Sequence, residues 1–293
     1  MNSILLILNF NNSREVLQLV ERVNTFNAFK SIVIVDNAST DDSCKLLTSK
    51  LKNSPNISLL FSETNLGYAG GNNIGLRFIE KKFLANDTVF ISNPDVRFSE
   101  QTVLAMQDFL EQNPMVGVVT GKTASGKSAW KHMTWGKTIA WTSYGMLKLC
   151  REAMNTWKYY DFRTEEPHSV DVITGAFFAS RVGTLTKVKN FDAHTFLYYE
   201  EDILSMKMKK RNYELYVLPN VNFSHIGGTT TAKNTNDIQK NHYFQQSAEY
   251  YYRVYLRWNF IQIFLSKVAF FSNDIIIYER RLRKLIRKSK GIK

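Results

Sequence analysis

Over the first hundred residues, short apolar runs alternate with segments whose apolar residues recur at helical spacing. Ile4 to Leu8 and Ser31 to Val35 are runs rich in Ile and Val, the pattern of strands buried on both faces of a parallel sheet. Between them, Val16, Leu17, Val20 and Val23 follow Ser13, a candidate N-cap with Glu15 behind it, which predicts a helix. The series continues with a helix near Asp42 to Leu51, a strand at Ile57 to Phe61, a helix at Gly71 to Lys82 and a strand at Thr88 to Ser92. Such alternation predicts an α/β fold with a mostly parallel sheet flanked by helices.

Further strands are expected at Val116 to Thr120, at Val170 to Ala179 and at Tyr216 to Val221. The first two are separated by a stretch carrying Trp130, Trp135, Trp141 and Trp157, too apolar for a linker. From about Asn241 the chain turns to Tyr, Phe and Arg at helical spacing, so a C-terminal helical appendage over 231–293 is expected after a main domain over 1–230. Phe260 to Phe271 is strongly apolar, but Gln262, Lys267, Asn273 and Asp274 lie in its neighbourhood. A spanning helix needs about 20 residues with few charges, so this one is expected either to lie in a headgroup plane or to pack as a C-terminal helix with a frayed basic tail. The N-terminal apolar run has no basic flank before it and reads as a first strand, not a signal peptide.

The formal net charge of +12 raises nucleic acid as a partner. Its location argues otherwise. Glu279 to Lys293 holds eight Lys/Arg and one Glu, which leaves +5 for the other 278 residues. A basic tail beside an apolar helix points to an anionic membrane surface. Cys44 and Cys150 form no disulfide framework and suit a reducing, cytoplasmic setting.

Ligands of open α/β sheets bind beyond the carboxyl ends of the strands. Those ends read Asn9-Phe10-Asn11-Asn12, Asp36-Asn37-Ala38-Ser39 and Ser92-Asn93-Pro94-Asp95. Asp36 is placed to accept hydrogen bonds from a base or ribose, and Asp95 to hold a hard divalent cation against a diphosphate. The glycine-rich run Asn65 to Gly75 opens a helix where N–H groups favour anions. Glu200-Glu201-Asp202 sits at another expected helix start, behind Phe196-Leu197-Tyr198-Tyr199. His225, past a strand-like run and in a Gly/Thr-rich loop, could ligate a metal or meet a diphosphate. A rival signal is Gly121 to Ser128, which matches GxxxxGK[ST] after an expected strand. It would make the chain a phosphate-loop NTPase, but no amphipathic helix follows it.

Taken together, Asp36-Asn37-Ala38-Ser39, Asn65-x-Gly67 through Asn73-x-Gly75, Asn93-Pro94-Asp95-Val96, Thr174-Gly175-Ala176-Phe177, Phe191-Asp192, Glu200-Glu201-Asp202 and His225 resemble the family 2 inverting glycosyltransferases with a GT-A fold. The form of the motifs is most similar to rhamnosyltransferase-type members of bacterial capsule and O-antigen pathways. The resemblance implies a nucleotide-sugar half over about 1–98 and an acceptor half over about 115–230. It implies that Asn9, Asn11, Asp36, Asn65, Gly67, Asn73, Asn93 and Asp95 lie at the donor, and that Asp95 and His225 stand at a Mg²⁺ or Mn²⁺ site. In much of the family the metal motif is Asp-x-Asp, and here Asn93 replaces the first acid. The family's base aligns with Glu201, and a one-residue shift would give the role to Asp202. The expected partners are a nucleotide-diphosphate sugar and a saccharide acceptor, lipid-linked at the inner face of the membrane and met around Trp130 to Tyr160 and Gly175 to Phe178.

Overall fold

The computed structural model describes residues 2–124, 126–143, 151–225 and 236–289. The N-terminal alternation forms as expected: β1 (Ser3–Asn9), α1 (Ser13–Val23), β2 (Phe29–Asp36), α2 (Ser43–Leu51), β3 (Ile57–Phe61), α3 (Gly67–Lys82) and β4 (Thr88–Ser92). Then come β5 (Val96–Arg97), α4 (Glu100–Gln112), β6 (Val116–Thr123), β7 (Ala129–Trp130), α5 (Trp135–Thr142) and α6 (Arg151–Lys158). The rest is β8 (His168–Val170), β9 (Val172–Ile173), β10 (Phe177–Arg181), α7 (Val182–Lys187), α8 (Glu200–Lys209), β11 (Glu214–His225), α9 (Asp237–Val254) and α10 (Phe260–Ser289).

The main sheet runs β3-β2-β1-β4-β10-β6-β11-β5, with β8 also on β11. Strands β1 to β4 pair in parallel, and β10 lies antiparallel between β4 and β6. Period-2 alternation sorts the side chains: Leu5 and Ile7 of β1 join Leu19, Val20, Leu47 and Met106 of α1, α2 and α4 on one face. Ile4 and Leu6 join Leu76, Ile79, Leu185 and Leu204 of α3, α7 and α8 on the other. The fold is GT-A-like, a mixed α/β layer structure with C-terminal helices.

Several expectations need correction. The single strand at Val170 to Ala179 is broken into β8, β9 and β10 by a bend at Asp171 and a turn at Gly175-Ala176. Asn12, not Ser13, precedes α1, and its side chain makes no capping bond. Helix α3 starts at Gly67, not Gly71, so the glycine-rich run is itself the first turns of the helix. Gly71 and Gly75 press against Leu8 and Leu6 of β1, so these two glycines let the helix approach the sheet closely.

The phosphate-loop reading fails. Gly121 to Thr123 are extended in β6, Lys127 lies 5.2 Å above the Tyr159 ring, and the following residues form β7 where a helix would be required.

The expected C-terminal helices form and pack against α8. Ala248, Tyr251 and Tyr252 of α9 and Ile263 and Phe270 of α10 form a third apolar cluster with Ile203 of α8. The boundary expected near residue 230 and the Gly/Thr-rich run after His225 lie outside the described residues.

Candidate active site

A cavity of about 440 Å³ opens beyond the carboxyl ends of β1, β2 and β4. The structure brings Asn65, Gly67, Asn93, Asp95, Glu200, Glu201 and His225 into its wall. It leaves Asn9, Asn11, Asp36 and Asn73 out.

Asn9, Asp36 and Asn73 are buried behind the wall, and Asn11 is partly exposed. Asp36 is 1% exposed. Its Oδ2 accepts from Asn9 Nδ2 at 2.7 Å, and its Oδ1 accepts from the Ser39 N–H at 2.9 Å and from Cys44 Sγ at 3.1 Å. The carboxylate ties the first two strand-end loops together. Burial and the adjacent Asp36 push the Cys44 thiol up to about 11, which keeps it a neutral donor. Asn11 Oδ1 accepts from the Thr40 N–H at 2.7 Å, and Asn73 exchanges hydrogen bonds with the backbone of Phe191. From the second loop it is Asn37 that faces the cavity. Its Nδ2 donates to Asn65 Oδ1 at 2.9 Å and to the Gly67 carbonyl at 3.0 Å.

Gly67 has φ +69°, and a Cβ there would fall 2.0 Å from the Phe196 carbonyl oxygen. Only glycine permits both. The Tyr68 N–H donates to that carbonyl at 3.0 Å, and the Tyr68 hydroxyl donates to the Gly175 carbonyl at 2.7 Å. Three distant segments are thus fastened at one corner of the cavity.

His225 is the last residue of β11, not a loop residue. A register shift after Leu218 swings the end of that strand onto β5, where Ser224 pairs with Arg97 and His225 with Val96. This places His225 Nε2 3.3 Å from Asp95 Oδ1. Among the described residues no group of three or more His, Cys, Asp or Glu could hold a metal. One carboxylate and one imidazole do fit a divalent cation whose remaining ligands are phosphate oxygens.

The acids at the start of α8 are aimed by an unusual turn. Tyr198 and Tyr199 both have left-handed backbones, at φ +74° and +67°, a conformation that costs a non-glycine residue about 1–2 kcal/mol. It is held by packing. The Tyr199 hydroxyl lies 2.9 Å from that of Tyr252, and its ring packs among Phe244, Tyr251 and Tyr252 of α9. Ser247 Oγ donates to the Leu197 carbonyl at 2.9 Å, and Tyr250 and Tyr255 donate to Asp192 at 2.8 and 2.6 Å.

Beyond this turn the acids diverge by about 100° per residue. Glu200 is 5% exposed, lines the cavity, and its Oε1 has no hydrogen-bond partner among the described residues. Glu201 Oε1 accepts from the Gly175 N–H at 3.1 Å. Asp202 turns away from the cavity and accepts from Trp130 Nε1 at 3.3 Å. Burial pushes all three carboxyls upward: Glu200 well above its usual range, Glu201 to about 7 and Asp202 to about 6. The helix dipole would favour the ionised forms by about 0.3–1 kcal/mol, and burial outweighs it.

Asp202 belongs to a second cavity of about 220 Å³, lined by Trp130, Trp141, Lys158, Tyr199, Tyr251 and Leu256 among others. Glu201 and Tyr198 line both cavities. The arrangement can hold two ligands with one carboxylate between them.

Two wall residues, Gln239 and Tyr243 of α9, had no sequence signal; they lie one helical turn apart beyond the expected domain boundary. Asn37 and Tyr68 stood inside motifs already singled out, and only the direction of their side chains was missing.

An open α/β sheet with a cleft at the strand ends and buried acids at a helix start defines a ligand-binding enzyme of the nucleotide-crevice class. The chain belongs to Glycosyl transferase family 2, whose pattern matches residues 4–185. No curated protein matches the chain. Among solved structures it is similar to "GalNAc-T7 with UDP, GalNAc and Mn2+", with a TM-score of 0.60 and 13% identity over 86% of this chain. It spans 50% of that longer chain. It is also similar to the mannosyltransferase PcManGT from Pyrobaculum calidifontis in complex with GDP-Man and Mn2+, with a TM-score of 0.56 and 14% identity over 99% of this chain and 83% of that one. S. aureus TarS residues 1–349 give a TM-score of 0.50 and 14% identity, over 87% and 72% of the two chains.

Proposed function

We propose that the protein moves a sugar from a nucleotide-diphosphate donor in the larger cavity to a saccharide hydroxyl in the smaller one, with inversion at the anomeric carbon. The observation that carries this is the position of Glu201, shared by both cavities. A sugar hydroxyl is a poor nucleophile, so a carboxylate must take its proton as the oxygen attacks. The new bond forms between acceptor oxygen and anomeric carbon while the bond to the diphosphate breaks, and the diphosphate leaves with the electron pair. Glu201 keeps the proton. Its raised affinity for a proton suits it to this work near neutral pH.

Asp95 and His225 would hold a divalent cation, Mg²⁺ or Mn²⁺, and when bound it would offset the charge gathering on the leaving diphosphate. The complexes of GalNAc-T7 and PcManGT with Mn2+ and nucleotide or nucleotide sugar support this. Asn93 keeps the Asp95 turn in place, its N–H donating to the Ala176 carbonyl at 2.8 Å. The aromatic walls of the smaller cavity suit a sugar face.

For the donor we favour dTDP-rhamnose or a UDP-hexose. For the acceptor we favour a growing capsule or O-antigen glycan on a lipid at the cytoplasmic leaflet, in keeping with the form of the sequence motifs. A thermal-shift screen of nucleotide sugars with and without Mn²⁺ or Mg²⁺ should identify the donor, and proton NMR of the product should show an inverted anomer. A retained anomer would overturn this mechanism.

A further inference from the structure

Helix α10 has two opposite faces. Ile263, Ser266, Ala269 and Phe270 are buried against the body of the protein, at 2–5% exposure. Phe260, Ile261, Phe264, Leu265, Val268, Phe271, Ile275 and Tyr278 are exposed, from 37% to 81%. At about 100° per residue these eight residues fall within an arc of about 140°, and they extend over about 27 Å of helix. Four of them are aromatic. Singly exposed apolar residues are ordinary, but a contiguous stripe marks a surface that meets something apolar.

The choice of partner follows from charge. The stripe runs directly into Glu279 to Lys293, with eight Lys/Arg and one Glu. No helix among the described residues is long and apolar enough to cross a membrane. Because the inner face of α10 is committed to the protein, only its outer face can enter another phase. An apolar, aromatic arc followed by a basic run matches the two layers of an anionic bilayer, acyl boundary and headgroups. A second copy of the chain would bring an equal positive charge against this one.

We infer that the outer face of α10 docks the protein in the plane of an anionic lipid surface, with the basic run on the headgroups. The same helical layer borders the smaller cavity. Trp135 Nε1 of α5 donates to the Gln262 carbonyl of α10 at 3.3 Å, while Thr138, Trp141 and Thr142 of α5 line that cavity. Docking would hold its mouth near the bilayer, a consequence that rests on the proposed transfer, whereas the docking itself does not.

The test is flotation of the full chain with vesicles of phosphatidylcholine alone or with 30 mol% phosphatidylglycerol, at about 0.1 M salt. Wild type should partition at least tenfold more strongly to the anionic vesicles. The double variant F264D/F271D should lose at least tenfold in binding with unchanged circular dichroism and unchanged binding of the donor found by thermal shift. The triple variant R280E/R281E/K284E should lose the preference for anionic vesicles. Equal binding of wild type to both vesicle types, or full binding by F264D/F271D, would overturn the inference. So would a wild-type dimer in sedimentation that F264D/F271D dissolves without any vesicle binding, which would assign the stripe to a second copy.

Discussion

The Gly175 N–H donates to Glu201 Oε1 at 3.1 Å, and a Cβ at position 175 would fall 2.4 Å from that same oxygen. The turn between β9 and β10 thus sets where the carboxylate stands. In Gly175→Ala the carboxylate, as the end of a flexible side chain, can move aside at little cost to folding. Its displacement should lower kcat by about 10- to 100-fold, because misplacement near 1 Å is costly at a reacting centre. Thermal melts beside steady-state kinetics would separate the two effects; a large drop in Tm with unchanged kcat per folded molecule would contradict the assignment.

Glu201→Gln keeps the size of the side chain and removes the base. Transfer should fall by about 10²- to 10⁴-fold, while donor binding by calorimetry stays within a few-fold. Asp202→Asn, on the Trp130 side, should keep far more activity. If the two variants exchange these behaviours, the proton goes to Asp202.

Activity should depend on pH through this cluster. The base must be ionised, so kcat/KM should rise with pH along a limb near 7, the value to which burial lifts Glu201 from 4.5. The limb belongs to the three coupled acids as a set. Stability should run the other way. A carboxyl with a raised folded-state pKa holds its proton better in the fold, so its contribution is full at low pH and declines as pH rises from about 4.5 through about 7. Melting temperatures across this range should decline less in Glu201→Gln than in wild type.

Asp95 and His225 make a prediction about metal. In Asp95→Ala, the enhancement of nucleotide-diphosphate binding by Mn²⁺ should be lost, and in His225→Ala the apparent Mn²⁺ affinity should drop by roughly tenfold or more. Calorimetry with and without Mn²⁺ reads both. Enhancement that persists in Asp95→Ala would move the cation elsewhere.

Tyr252 is 1% exposed, stacks on Trp258 at 4.0 Å and meets the Tyr199 hydroxyl. Tyr252→Ala should cost about 3–5 kcal/mol, as large aromatic deletions in cores do. Tyr252→Phe removes only the hydroxyl and should lose about 1 kcal/mol. Chemical denaturation would measure both. A chain ending at residue 230 should lose donor binding altogether, since Gln239 and Tyr243 line the cavity.

The sheet was legible because its signal is local. Ile4 to Leu8 and Ser31 to Val35 are too apolar to be anything but buried strands, and the helices between them carry their own spacing. The three acids before Ile203 were likewise visible as a helix start. The break at Gly175-Ala176 was missed because the apolar residues Val170, Val172, Ile173, Phe177 and Phe178 read as one strand and outweighed Asp171, Thr174 and Gly175 among them.

By itself the sequence determined the alternating fold and the residue types that chemistry would need, since period and composition are properties of neighbours along the chain. Only the tertiary structure decided which of them face a ligand. Asp36 is drawn behind the wall by Asn9 and Cys44, His225 reaches Asp95 through a strand pairing across more than a hundred residues, and Glu201 is separated from Asp202 by one step of a helix whose entry is held by Tyr252. Local period sorts side chains to one face of a strand or helix, but which of them meets a ligand depends on contacts between distant segments.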